Sequence, residues 1–171
     1  MDTSIIKLNE ISPEYGIRIG NSNAKPLIEF INLRCPYCKQ WYESSKKLLQ
    51  EATSQGKIER VIKLTDRQKG SLQNGNIMHR FVTTDNAEKT LTELDQIFKT
   101  QDQWGDLSSE EIIKFATDEL GLIEHEHSGY AHRITEESER ANIKFVPTVI
   151  IGSHIFDEHI SNDLLDDYLN E

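Results

Sequence analysis

Leu27-Ile28-Glu29-Phe30-Ile31-Asn32 runs directly into Leu33-Arg34-Cys35-Pro36-Tyr37-Cys38, and this stretch decides the fold. Its first half is a compact apolar run broken by one acid, the pattern of a buried strand. A helix is predicted to begin at the cysteines, because proline suits a first helical turn and an apolar stripe follows at Cys38, Trp41, Ser45, Leu48 or Leu49, and Ala52. Gln55-Gly56 closes that helix, and Lys57 to Leu64 reads as the next strand. A strand, a crossover helix and a parallel strand form a right-handed βαβ unit.

Working outward, Gly16 to Ile19 is a short strand, followed by turn residues from Asn21 to Pro26. Downstream, Ile77 to Thr83, Ala87 to Thr100, Ser109 to Leu120 and about Glu126 to Ala141 read as helices. Ser108 or Ser109 serves as an N-cap for the third of these and Gly121 as its stop. Val149-Ile150-Ile151 and His154-Ile155-Phe156, joined around Gly152-Ser153, suit a β-hairpin, and Ser161 to Leu169 a final helix. The order βαβ, helical block, ββα predicts an α/β fold whose mixed sheet has helices inserted between its halves.

Composition sets outer limits. A chain of 171 residues, 36% apolar and 28% charged, fits one globular domain with an insertion and needs no disulfide to build its core. Nineteen Lys and Arg against 29 Asp and Glu give a net charge of -10, which repels nucleic acid and anionic lipid. No apolar run is long enough to span a bilayer, so neither nucleic acid nor a membrane is an expected partner. The first ten residues lack a signal-peptide pattern, so a cytoplasmic location is expected, although a secreted chain with its signal removed would look the same. Charge is uneven: residues 34 to 70 carry nine cations against four acids, which reads first as a solvated basic face.

The only two cysteines lie three positions apart at a strand-to-helix junction, which points to thiol redox chemistry. A metal site is not expected, because structural zinc wants four ligands and a second cysteine pair is missing. The helix N-terminus stabilises a thiolate at Cys35, which is expected to be the exposed nucleophile. Cys38, nearly one turn further in, is placed to resolve a mixed disulfide. Glu29 is either an edge residue facing water or a buried acid, and an acid buried without a partner is often kept for proton transfer. His125, His127 and His132 read as surface histidines, His79, His154 and His159 as structural or exposed, and Trp41 as core.

Leu27-Ile28-Glu29-Phe30 leading to Cys35-Pro36-Tyr37-Cys38, with Val146-Pro147-Thr148 far downstream before two strands, resembles the DsbA-like oxidoreductases of the thioredoxin superfamily. The resemblance implies a thioredoxin-like domain from residues 1–66 and 142–171 and an inserted helical domain over 67–141. It implies that Pro147 is a cis-proline packed against the cysteines, with Val146 offering backbone groups to an extended peptide. It also implies that Glu29 is the buried acid that helps deprotonate the second cysteine. Pro36 and Tyr37 would shape the substrate surface, although Pro-Tyr is the glutaredoxin dipeptide. The 112 positions from Cys35 to Pro147 are too many for that compact fold. Arg34 and Lys39 should lower the Cys35 pKa and favour acidic or glutathione-like partners.

The activity implied is thiol-disulfide exchange with protein thiols or disulfides, the cysteine pair serving as the only redox group. Glutathione or a thioredoxin-type protein would be the donor. Two other readings are a cytosolic DsbA-like adaptor of the YjbH kind, with the cysteines as a redox switch, and a glutathione-linked disulfide reductase.

Overall fold

The computed structural model describes all 171 residues. Five strands form one mixed sheet in the order β1-β3-β2-β4-β5: β1 is Ile17–Gly20, β2 Lys25–Ile31, β3 Ile58–Leu64, β4 Thr148–Ile151 and β5 His154–Phe156. Only β2 and β3 are parallel, joined through helix α1, Pro36–Ser54. The remaining pairs are antiparallel, and the two edge strands have only four and three residues, which leaves little unpaired backbone.

Between β3 and β4 lie α2 (Leu72–His79), α3 (Ala87–Lys99), α4 (Gln101–Trp104), α5 (Ser109–Lys114) and α6 (Ser128–Arg140), and α7 (Asn162–Asn170) ends the chain. α5 starts on a full capping box, in which Ser108 and Glu111 satisfy each other's backbone N–H groups, and it passes into a wider π turn over Phe115–Glu119. That turn interrupts the single helix expected from Ser109 to Leu120. The helix expected at Ile77 to Thr83 forms earlier instead. Asn74 and Asn76 look like turn residues, yet they sit on α2 because their amides bind backbone there, Asn74 at Gly105 and Leu107 and Asn76 at Arg67. Beyond it, the Thr83 N–H and hydroxyl donate to Glu93 of α3.

Alternation along β2 assigns the two faces of the sheet. Leu27 and Ile31 join a cluster of 28 buried residues that extends through α1 to Leu94, Trp104 and Ile112, so the inserted helices pack onto the same core as the sheet. Ile28 and Phe30 face a smaller cluster with Val61, Ile143 and Ile150. β3 places one buried cation on each face. Arg60 forms a two-pronged pair with Glu29 of β2 at 2.9 and 3.0 Å, and Lys63 pairs with Glu137 of α6 at 2.5 Å. Removing one member of such a pair leaves an uncompensated charge in the interior. Glu29→Gln is expected to lower stability by about 3 kcal/mol in urea unfolding, and Glu29→Leu with Arg60→Met to lose less than that single change.

Candidate active site

The chain between β2 and α1 carries the cysteines, and its backbone is held group by group. Cys35 N–H donates to the Asn32 carbonyl at 3.1 Å. Leu33 N–H donates to Nε2 of His79 at 3.2 Å, and Arg34 N–H to Oδ1 of Asn32 at 2.9 Å. The amide of Gln101 donates to the carbonyls of Leu33 and Cys35 at 2.7 and 3.2 Å. Asn32 is itself fixed by donating to Thr65 O, Leu72 O and Asn76 Oδ1. None of Asn32, His79 and Gln101 stands out in the sequence, because each is an ordinary polar residue and two come from helices remote in the chain. Gly75 of α2 lies against this loop: a Cβ there would meet Asn32 Oδ1 at 2.0 Å and Arg34 N at 2.8 Å.

Cys35 occupies the N-cap of α1 in extended conformation, with Pro36 opening the helix. Both thiols are free. The thiol of Cys38, followed by the backbone N–H groups of Cys38 and Tyr37, stabilises a thiolate at Cys35, and together they outweigh burial and bring its pKa down to about 7. Cys38 is the reverse: complete burial, and then the neighbouring Cys35 sulfur, push its thiol well above the ordinary range. The pair is therefore asymmetric, with the first sulfur charged near neutral pH and the second protonated.

Several sequence expectations need correcting here. Cys35 is not exposed; it is only 4% accessible, because its Sγ faces the carbonyl of Val146 at 3.4 Å. Arg34 and Lys39 contribute nothing resolvable to the Cys35 thiolate. Arg34 is tied to Gly105 O and Asp106, and Lys39 lies 3.9 Å from Glu43 and 4.0 Å from Asp102. Glu29 is fully buried but not unpartnered, since Trp41 Nε1 donates to it at 2.9 Å beside the Arg60 pair. Trp41 is core, packed edge-on to Phe156.

His127 is buried, not at the surface, and burial followed by the proximity of His79 takes its pKa down to about 4. Asp66, His79 and His127 bring ligand-type atoms within 4.8 Å of one another. Both ring nitrogens of His79 are already engaged, Nδ1 with Asp66 at 2.7 Å and Nε2 with the Leu33 N–H, which is the arrangement of a hydrogen-bond relay.

The Val146–Pro147 bond is cis. Together with exposed Tyr37 and Phe145, these two residues line a groove of about 380 Å³ whose other wall is Asp157, Glu158 and His159. A dithiol at a helix start, in contact with this loop at one end of a mixed sheet, defines a protein of the thioredoxin fold. The family model described as Thioredoxin matches residues 12–171, and the chain belongs to that family. It is 44% identical to a conserved protein of unknown function from Enterococcus faecalis V583, covering 100% of this chain and 98% of that one with a TM-score of 0.98. It shares its fold with a periplasmic thioredoxin-like protein from Salmonella enterica serovar Typhimurium, at 17% identity and TM-score 0.65 over 93% and 90% of the chains. DsbA from Chlamydia trachomatis superposes equally well, at 11% identity and TM-score 0.65 over 94% and 93%. No curated protein matches.

Two measurements check this geometry. In a thiolate absorbance titration Cys35 is expected to titrate near pH 7, and Cys38→Ala to move that midpoint upward, because the largest stabilising hydrogen bond is gone. Gly75→Ala, which in an open helix would gain up to about 1 kcal/mol, is expected instead to lose about 1 to 3 kcal/mol in chemical denaturation as the added methyl displaces Asn32.

Proposed function

We propose that this chain is a thiol-disulfide oxidoreductase acting on protein partners, with the cysteine pair as its only redox group. The observation that carries the reading is the asymmetry of the pair, a Cys35 thiol brought down to about 7 beside a Cys38 thiol held well above its ordinary range. The Cys35 thiolate attacks a partner disulfide, forming a mixed disulfide and releasing the partner's other sulfur as a thiolate. Cys38, once deprotonated, attacks Cys35 Sγ, closing the Cys35–Cys38 disulfide and freeing the partner as a dithiol, so that two electrons pass to the partner. Attack by a partner thiol on the oxidised pair runs the same steps backwards.

Val146 and Pro147 offer the edge on which an extended peptide lies, with Tyr37 on the same wall of the groove and the exposed Pro36 next to it in the chain. Glu29 enters this reading as a buried carboxylate that holds Trp41 and Arg60 behind the pair and takes part in deprotonating Cys38. A pKa near 7 resembles the nucleophile of thioredoxin more than the far more acidic one of DsbA. The pair is therefore expected to act as a reductant or intermediate exchanger, within reach of the reduced pools of a cytoplasm.

The test is a trapping experiment with a potential measurement. Cys38→Ser is expected to accumulate a mixed disulfide at Cys35 with reducible protein substrates, Cys35→Ser to form none, and the wild-type pair to equilibrate with glutathione at a potential of roughly -200 mV or lower. A pair that never forms a disulfide would refute the reading.

A further inference from the structure

One wall of the groove beside Cys35 has a chemistry that the exchange reaction does not require. Glu158 follows β5 and its side chain is only 8% exposed, yet its carboxylate accepts no hydrogen bond. Its one ionic neighbour is the ring of His159 at 3.4 Å, and that same nitrogen lies closer, at 3.0 Å, to Asp157. Most of its side chain is buried while its carboxylate reaches the groove without a donor, which leaves it open to a donor or a cation. No lysine or arginine lines the groove; its one cation, the N-terminal ammonium of Met1, lies 3.9 Å from Asp157 and pairs there, not with Glu158, and Arg34 and Lys39 are engaged elsewhere. The opposite wall is apolar and aromatic, formed by Tyr37, Phe145, Val146 and Pro147.

We propose that Glu158 selects partners that present a lysine or arginine side chain close to the sulfur attacked by Cys35. This rests on the oxidoreductase reading and adds the class of partner. It opposes the glutathione-like preference expected from Arg34 and Lys39, since glutathione carries net negative charge. An incoming cation completes the unmet carboxylate while the neighbouring peptide lies on the apolar wall. Glu158 also works against ionisation of both thiols, so a cation that neutralises it favours the Cys35 thiolate as the correct partner arrives. The step itself is unchanged: the thiolate attacks the partner's disulfide, one S–S bond forms as another breaks, and the partner's other sulfur leaves as a thiolate.

Three small disulfides of similar size and different charge test this on the full-length reduced protein: cystamine, hydroxyethyl disulfide and dithiodiglycolate. The ratio of second-order rates for cystamine over the neutral disulfide is expected to be about fivefold larger in wild type than in Glu158→Gln, and the contrast to shrink as salt is added. Glu158→Gln should slow cystamine while sparing or speeding the neutral disulfide, whereas a merely structural defect would move all three together. Glu158→Asp is expected to restore the preference, and Glu158→Lys to shift it toward dithiodiglycolate. An unchanged ratio in Glu158→Gln, with all three disulfides still reacting, overturns the charge selection and leaves the thiol chemistry standing. Failure of wild type to react with any of the three overturns both.

Discussion

The segment from Asn32 to Cys35 is irregular backbone lying beneath a nucleophile, and the rest of the structure is arranged to satisfy it. α1 satisfies only the two ends of this segment, where Cys38 Sγ accepts from the Asn32 N–H and the Lys39 N–H donates to the Cys35 carbonyl, and burial makes any unpaired group costly. The others are met by the Asn32 side chain within the segment, by His79 of α2 and by Gln101 of α4. Two of them stand on the helices between β3 and β4, so that block does more than cover the sheet. It forms the mould in which Cys35 is set, and the close contact at Gly75 shows how little slack the mould has.

With the backbone so fixed, the electrostatics of the pair follow from position alone. Cys35 at the N-cap receives the first free N–H groups of a 19-residue helix, while Cys38 in the first turn is itself fully buried. The two cations next to the cysteines in sequence, Arg34 and Lys39, lie against carboxylates instead. The charges that a sequence places beside the cysteines are used to tie α1 and the loop to α4 and its surroundings.

Much of this was legible beforehand, for identifiable reasons. The βαβ unit, the hairpin and the closing helix follow from short-range periodicity, and the cysteine pair from its spacing and solitude. What local pattern could not show was the partner of each polar group. Glu29 reads as a stranded acid because Arg60 is 31 positions away, and Arg34 reads as an electrostatic aid because Asp106 is 72 away. His127 reads as a surface residue since its neighbours in sequence are charged, whereas its ring turns inward against Tyr130 and His79. Glu158 carried no signal at all, being one acid among 29 until the fold brings it to the cysteine groove.

The two cations of β3 carry a consequence for how the sheet finds its pairing. Arg60 and Lys63 are an odd number of residues apart and so point to opposite faces, each toward a carboxylate contributed by a different element. Sliding β3 by a single residue would invert both at once, leaving two buried cations and two buried carboxylates with nothing to answer them. A purely aliphatic strand of this length would tolerate such a slip with a modest loss of packing. The charges thus serve as an alignment key, heavily penalising the misregistered sheet while adding little to the correct one.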